Sequence, residues 1–304
     1  MYRYFLQKLI DLVLTMLLVS TFVFVVLRLT GDPVSMVLPP EASEEMVAQM
    51  RHTLGLDAPL YIQYARFLVN AIQGDMGNSL HYHQPAIDLI SSALPATIQL
   101  ASAAMVLTIA IALPLGMLAA VYHNSWLDRL VLVLTLFGQS IPFFWFGLIL
   151  IIVFAVDLGW VPTSGHGSPK QLILPAITLA TYAIAQVARI VRASMLDALN
   201  QNYVRTARAK GLRESTVLGV HVLKNAAIPI VTIVGLHFGI LLGGTVVTET
   251  IFAWPGLGRL IVNGISLRDF PVVQAAVLYL AMIFVLINTL VDISYGFLDP
   301  TIRA

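Results

Sequence analysis

Cysteine is absent from the 304-residue sequence, and charged residues make up only 11% of it. Without thiols the chain forms no disulfide and holds no cysteine-ligated metal. A soluble domain carries about 25% charged residues, so this shortage, together with 58% hydrophobic residues, indicates an integral membrane protein. We identify no internal repeat, no low-complexity tract and no feature that indicates nucleic acid as a partner.

Motifs that define other classes of membrane protein are also missing. The sequence has no Gly-x-x-x-x-Gly-Lys-Ser/Thr motif, so it cannot hold ATP phosphates in a P-loop. No long apolar stretch has a central Asp or Glu, which an ion-coupled secondary transporter would need. A secondary transporter is therefore the weaker alternative. A membrane enzyme lacks a convincing site, since Ser164-Gly165-His166 fits a Gly/Ser/Pro-rich loop better than a catalytic triad.

Six apolar stretches approach the length of about 20 residues that a helix needs to cross a membrane. The first follows Arg3 and Lys8, and we interpret it as a retained span, because it is long for a signal peptide and no small-residue cleavage site follows promptly. Arg28, at its other end, fits a side chain that snorkels to the interface. The six predicted spans are Leu9–Leu27, Ile98–Val121, Leu130–Val156, Leu172–Ile190, Ala226–Val247 and Val272–Tyr295.

Charge is distributed unevenly between the segments that join these spans. Residues 30–95 contain seven acidic and two basic residues, whereas residues 189–224 contain seven basic and two acidic ones. The positive-inside rule places the basic segment in the cytoplasm, and both termini with it. The predicted organisation is an N-terminal span over 1–29, an extracytoplasmic segment over 30–96 and a membrane core over 97–296. The core includes a cytoplasmic loop over 191–225, and a cytoplasmic tail covers 297–304.

The extracytoplasmic segment is predicted to contain two helices. Ser43 followed by two glutamates is typical of a helix start, and Gly55 ends that helix. Pro59–Ile72 has the pattern of an amphipathic helix that stops near Gly74. His81 and His83 follow, but two histidines without further ligands make a poor metal site, so we predict surface histidines and no bound metal.

The basic loop has the most informative pattern of the chain. Tyr203–Pro229 is an Ala-rich helical stretch, then Gly211, then a second helical stretch that ends at Pro229. Alanine favours helix and permits close approach of a partner. Gly211 is suited to the C′ position, where positive φ ends a helix. Charge alone is equally explained by an ordinary cytoplasmic loop that sets topology.

The sequence Arg205-Thr206-Ala207-Arg208-Ala209-Lys210-Gly211 resembles the "EAA" loop of binding-protein-dependent ABC importer permeases. That pattern is Glu-Ala-Ala, three residues, Gly, nine residues and Ile-x-Leu-Pro. Ala207, Gly211 and Leu223 match it, and the departures are Arg205, Thr206, His221 and Lys224. The departures resemble the dipeptide/oligopeptide/nickel subfamily, which includes glutathione-type permeases and has versions similar to YVRTARAKGL followed by HVLKNAAIP.

Further motifs of that subfamily occur in order along nearly the whole chain. They are Gly31-Asp32-Pro33, Leu54-Gly55-Leu56-Asp57-x-Pro59-Leu60, Gly74-Asp75-x-Gly77-x-Ser79, Leu94-Pro95-Ala96-Thr97, Arg192-Ala193-Ser194-Met195, Phe252-x-Trp254-Pro255-Gly256-x-Gly258-Arg259 and Asp269-x-Pro271-Val272. The resemblance implies an all-α permease of the type I importer fold with six membrane helices. It also implies the bacterial inner membrane, a second homologous permease, two ATPase subunits and an extracytoplasmic binding protein.

The resemblance further implies that this chain passes its cargo without enzymatic activity or a cofactor of its own, because ATP and magnesium bind the ATPase subunits. Peptides are the expected cargo, with glutathione-like or opine-like molecules and nickel chelates as alternatives. It assigns ATPase coupling to Arg205, Thr206, Ala207, Arg208, Ala209, Lys210 and Gly211, whose basic side chains can pair with acidic groups on the partner.

Two further sets of residues are candidates from their position. The loop after the fifth span holds Trp254, Pro255, Gly256 and Gly258, where a tryptophan suits the membrane interface, and it is either a gate or docking loop or only a tight turn. Polar residues of the third and fourth spans either line the pathway or join helices by hydrogen bonds. These residues are Gln139, Ser140, Thr178, Thr181, Tyr182 and Gln186.

Overall fold

In the computed structural model, residues 2–30, 34, 38, 42–53 and 55–298 are described, and helices form most of them. The Gly31-Asp32-Pro33 motif and most of the predicted C-terminal tail lie outside these residues. The helices are α1 (Tyr2–Thr30), α2 (Glu44–Thr53), α3 (Leu60–Ile72), α4 (Ala86–Val121), α5 (Trp126–Ser140), α6 (Phe143–Asp157), α7 (Pro169–Leu199), α8 (Asn202–Ala209), α9 (Glu214–Ile251), α10 (Leu257–Ser266) and α11 (Phe270–Leu298).

Five of these helices contain a stretch long and apolar enough to cross a membrane. The stretches are Leu6–Leu29, Ala86–Val121, Pro169–Leu199, Glu214–Ile251 and Phe270–Leu290. A sixth span results if α5 and α6 are counted as one broken helix. The all-helical membrane fold expected from the sequence is thus confirmed, although the structure does not establish on which side the termini lie.

The predicted third span, Leu130–Val156, is not one straight helix. Its two halves, α5 and α6, meet at an angle of 98°. α5 ends at Ser140, and Pro142 precedes α6. Proline has no N–H to continue the preceding helix, and its ring disfavours helical backbone at the residue before it. The apolar composition of the stretch concealed this break.

The two helices predicted between the first two spans are confirmed as α2 and α3. The glycines that follow them have positive φ, 66° at Gly55 and 84° at Gly74. The predicted domain boundary at residue 96 falls inside α4, which runs without interruption from Ala86 to Val121. A helix of 36 residues is about 54 Å long, well beyond the about 30 Å of a bilayer core.

The chain divides into two units, one of residues 1–97 and 255–285 and one of residues 98–254 and 286–304. In the first unit, α3 packs on α1 through aromatic rings. The Phe24 ring lies 5.2 Å from that of Tyr64 and 6.4 Å from that of Phe67. The Tyr64 hydroxyl lies 2.8 Å from Ser20 Oγ and 2.7 Å from Thr21 Oγ1. These contacts fix the amphipathic helix against the first span.

A buried carboxylate joins two sequence motifs within this first unit. Asp269, fully buried, accepts a hydrogen bond from the Ser79 hydroxyl and others from the backbone N–H groups of Leu80 and His81, at 3.2 and 3.3 Å. Ser79 Oγ in turn accepts from the N–H of Tyr82 at 2.8 Å. The Gly74–Ser79 and Asp269–Val272 motifs therefore meet in space, which their separation in sequence did not reveal.

In the second unit, α7 packs against α5, α6 and α9. It also packs closely against α4 at Gly116, where an added Cβ would come within 2.6 Å of both Ala188 O and Val191 Cβ. Only glycine permits this approach. The core around it combines residues of α4, α7, α8 and α9, namely Ala112, Ala120, Val187, Ala188, Val191, Met195, Ala198, Val204, Ala207, Val217, Val222, Ala226 and Ile230.

Candidate functional site

The short helix α8 is amphipathic, and one of its faces is buried against the rest of the protein. Val204 and Ala207 are 0% and 7% exposed and belong to the core shared with α7 and α9. Arg205, Thr206 and Arg208 on the other face are exposed. This corrects one expectation: the side chain of Ala207 contacts this chain's own core and is not free to receive a partner. Its small size permits close packing of α8 itself.

Gly211 ends α8 as the sequence predicts. Lys210 is the C-cap residue, and Gly211 follows with φ 73°. The N–H of Gly211 donates to Arg208 O at 2.9 Å, and that of Leu212 donates to Ala207 O at 3.3 Å. No heavy atom lies within 4 Å of where a Cβ at Gly211 would stand. The C′ prediction is confirmed, and the space beside this glycine is open.

The three basic residues of α8 and its C-cap differ in their contacts. Arg208 forms an ion pair with Glu214, its Nη2 lying 2.6 Å from Oε1 and its Nε 3.1 Å from Oε2. The hydrogen bond to Glu214 raises the pKa of Arg208. Within the described part of the chain, Arg205 and Lys210 make no ion pair. Arg208 therefore closes the turn between α8 and α9, while Arg205 and Lys210 remain the cations available to a partner.

The second helical stretch does not end at Pro229 as the sequence indicated. α9 begins with Glu214–Thr216, is π-helical over Val217–Val222 and continues through Pro229 to Ile251. Membrane helices tolerate an internal proline where neighbouring helices and local π geometry satisfy the freed backbone groups. The loop after Gly211 is thus continuous with a membrane span.

A charged cluster near the start of α5 escaped the sequence analysis. The Asp128 side chain is 3% exposed and accepts hydrogen bonds from Arg192 Nε at 2.6 Å and Nη2 at 2.7 Å. It also accepts from the N–H of Asn124 at 2.9 Å, and His123 Nδ1 lies 3.2 Å away. From its sequence position, Arg192 fits either an anchor at the cytoplasmic end of the fourth span or a substrate contact, and neither interpretation includes an ion pair with Asp128. The capping pattern Ser125-x-x-Asp128 was the one local sequence signal for this region, and it indicates the start of a helix rather than an ion pair.

Trp254 does not lie at a surface, contrary to the expectation for an interfacial tryptophan. It is 1% exposed, and its ring packs edge-on against His166 at 4.6 Å between ring centroids. His166 Nε2 lies 3.1 Å from Gln99 Oε1, so the loop before α7 folds over the tryptophan. Pro255 is exposed, whereas Gly256, the N-cap of α10, and Gly258 are buried.

The pathway candidates occupy different environments. Thr178 is fully buried and donates to Leu174 O at 2.8 Å, and Thr181 donates to Ile177 O at 2.7 Å, both within α7. Ser140 donates to Leu136 O within α5, and Gln139 on the same helix is half-buried. The structure therefore shows their hydrogen bonds within helices and assigns none of them to a pathway.

One polar row on α7 does extend along the helix. Gln186 Nε2 donates to the Tyr182 hydroxyl at 3.3 Å, and Arg189 donates to Gln186 Oε1 at 2.9 Å. The Tyr182 ring also meets His237 of α9, 6.1 Å away between ring centroids. His237 is buried, and the sequence gave no reason to single it out.

The described helices define an integral membrane protein with a small amphipathic helix between two of its spans. The chain belongs to the family described as "Binding-protein-dependent transport system inner membrane component", which matches residues 112–304. Residues 1–101 match the N-terminal region described for such membrane components. The protein is thus an inner-membrane permease and a transport subunit, not an enzyme. Its family implies ATPase and binding-protein partners.

Similar proteins cover the whole chain. The "Glutathione transport system permease protein GsiC" of Escherichia coli strain K12 is 44% identical over 304 residues, which are 100% of this chain and 99% of that protein. The protein of the same name from Salmonella paratyphi A is 43% identical over the same extent. The MetNI methionine ABC transporter in an inward-facing conformation is similar in fold. It has a TM-score of 0.60 at 20% identity and covers 70% of this chain and 97% of that one.

Proposed function

We propose that this permease passes glutathione, or peptides of similar size, from an extracytoplasmic binding protein into the cytoplasm. The support for this cargo is the 44% identity, over the whole chain, to proteins named for glutathione transport. Opine-like molecules and nickel chelates are the alternatives within the same subfamily. The binding protein selects among these ligands, and the permease conducts what that protein delivers.

The observation that carries the coupling mechanism is the geometry of α8. One face is anchored in the core by Val204 and Ala207, and the other presents Arg205 and Lys210 beside the open space at Gly211. We infer that this face docks on an ATPase subunit at the cytoplasmic side. ATP and magnesium bind to two such subunits and not to this chain.

A second, homologous permease completes the transporter in this proposal. Closure of the ATPase pair around ATP displaces α8 in each permease and favours the outward-open state, and hydrolysis restores the inward-open state. Because α8 shares its core with α7 and α9, displacement of α8 moves these two helices with it.

Uptake into proteoliposomes that contain the permeases, the ATPases and the binding protein tests this function. We expect accumulation of labelled glutathione that requires ATP and magnesium on the ATPase side and is blocked by vanadate. A labelled dipeptide and a nickel chelate, assayed in parallel, rank the alternative cargoes. Uptake driven by a proton gradient in vesicles that contain this chain alone would contradict the proposal.

A further inference from the structure

The first unit contains a cavity that none of the roles above uses. Its volume is about 250 Å³, below the about 300–1,000 Å³ of pockets that enclose drug-sized ligands. It is lined from α1 by Phe24 and Arg28 and from α3 by Gln63, Arg66, Phe67 and Asn70. The remaining walls are Gly55, Asp75, Met76, Gly77, Pro271 and Gln274.

The cavity lies at the end of a membrane span. The apolar stretch of α1 runs from Leu6 to Leu29, and Arg28, which lines the cavity, is in its last turn. The adjacent Leu29 is 82% exposed, so the apolar surface of α1 continues to this level. The ends of a membrane span lie where the hydrocarbon core meets the phospholipid headgroups.

The helix α3, which lines the cavity through Gln63, Arg66, Phe67 and Asn70, has the surface of an interfacial helix. Its exposed apolar residues include Ile72, at 86%, and Tyr61, at 74%, while its other face packs on α1 through Tyr64 and Phe67. Such exposed apolar surface is stabilised when it enters the headgroup and acyl boundary. Lipid is therefore the environment expected around the cavity mouth.

The polar groups that line the cavity match a phospholipid headgroup. Arg28 and Arg66 supply two guanidinium groups, and guanidinium binds phosphate through paired N–H donors. The Arg28 guanidinium lies 5.3 Å from the Phe24 ring centroid, which holds it at the wall. Asp75 adds one carboxylate, whose Oδ1 already accepts the N–H of Gly77 at 2.9 Å.

Gln63 supplies an acceptor without a partner. Its Nε2 donates to Leu56 O at 3.0 Å and to Ala58 O at 2.7 Å, which fixes the orientation of the amide. Its Oε1 is buried and, within the described residues, accepts no hydrogen bond. A buried acceptor of this kind is costly unless it is satisfied. This oxygen is closed off from solvent, so Gln63 forms part of the cavity wall and its Oε1 is not a contact point for a ligand.

We propose that this cavity binds the headgroup of a membrane phospholipid, with the phosphate at Arg28 and Arg66 and an N–H or O–H donor at the carboxylate of Asp75. Phosphatidylethanolamine has both the phosphate and an ammonium donor. Phosphatidylglycerol has the phosphate and hydroxyl donors, and phosphatidylcholine has the phosphate without a donor. The expected order of affinity is ethanolamine, then glycerol, then choline.

Native mass spectrometry of the full chain in a nonionic detergent tests this proposal, with each of the three lipids titrated separately. Loss of a hydrogen-bonded charge partner predicts roughly tenfold weaker retention of ethanolamine and glycerol lipids in Arg66→Gln. Arg66 is exposed, so the variant is expected to fold, and Arg66→Lys should recover part of the binding. Lys170→Gln, which removes an exposed cation at the start of α7, is the matched control and should bind as the unmodified chain does.

Three outcomes would overturn the proposal. The first is equal retention of lipid by Arg66→Gln and Lys170→Gln. The second is retention of phosphatidylcholine as strong as that of phosphatidylethanolamine. The third is displacement of the lipid by millimolar glutathione, which would mean that the cavity takes a carboxylated solute. The first two outcomes do not bear on the cargo of the transporter, because the inference requires only that the chain lie in a membrane.

Discussion

At the scale of single residues, Asp128 shows how one carboxylate joins distant parts of the chain. Its partner Arg192 is 64 positions away, and the two side chains are 3% and 18% exposed. The backbone of Asn124 and the ring of His123 complete the shell around the carboxylate. The Asp128 carboxylate therefore connects the loop before α5 to α7, within the chain's second unit.

We expect Asp128→Asn to destabilise the fold. Breaking a buried ion pair leaves the remaining charge uncompensated and costs about 3–5 kcal/mol, and the partial exposure of Arg192 places the expected loss near the lower end of that range. The measurement is the apparent midpoint of denaturant unfolding in detergent. Asp197→Asn is the control, because it removes an exposed carboxylate from α7, the helix that carries the partner Arg192.

An unchanged midpoint in Asp128→Asn relative to Asp197→Asn would show that the pair contributes nothing to stability. The double variant Asp128→Asn with Arg192→Gln should recover part of the loss, because neither charge is then left unpaired.

At the scale of elements, α8 buries one face in the core and exposes the other. Val204 and Ala207 face the core, while Arg205, Thr206 and Gly211 are exposed. The sequence was sufficient to locate this helix and its end, because capping by glycine is a local property. It was insufficient to show that Ala207 faces inward or that Arg208 is paired with Glu214, because both depend on contacts beyond the helix.

We expect Gly211→Asp to uncouple ATP hydrolysis from uptake while the chain still folds. Both Asp and Asn tolerate the left-handed backbone of this position better than most residues do, and no atom of this chain lies within 4 Å to clash with either. Gly211→Asn is therefore the matched control that differs in charge. The measurement is the ATPase rate and glutathione uptake of the reconstituted importer.

The charge-specific effect has a simple cause, since an aspartate beside Arg205 and Lys210 would repel acidic groups of the ATPase that these cations attract. Equal uptake by the Gly211→Asp and the unmodified permease would contradict docking at this surface. Equal loss in both variants would instead point to a steric requirement for glycine.

At the scale of the whole molecule, the asymmetry of charge predicts an orientation that the fold by itself does not supply. The prediction can be tested directly because the chain has no cysteine to interfere with labelling. A membrane-impermeant maleimide should label Lys170→Cys in intact spheroplasts and label Lys210→Cys only after permeabilisation, since both positions are exposed. The reverse pattern would place the basic loop outside and exclude docking of an ATPase there.

Which features of the fold can be predicted from the sequence depends on the range of the interactions that produce them. Apolar length and charge predicted the membrane spans, and glycine positions predicted where α2, α3 and α8 end, because these are properties of short segments. The bend before Pro142, the burial of Trp254 under His166 and the Ser79–Asp269 contact depend on tertiary packing. Composition and spacing contain no direct signal for them.

The close contact at Gly116 has a mechanical consequence. The contact lies near Ala188 and Val191, so the part of α7 leading to α8 is roughly 12 Å long and the part leading to Pro169 roughly 28 Å. Here the Val191 side chain and the Ala188 carbonyl pack directly against the glycine, and a close contact of this kind can serve as a fulcrum. Tilting α7 about it turns a small displacement at the α8 end into an opposite displacement about twice as large at the far end.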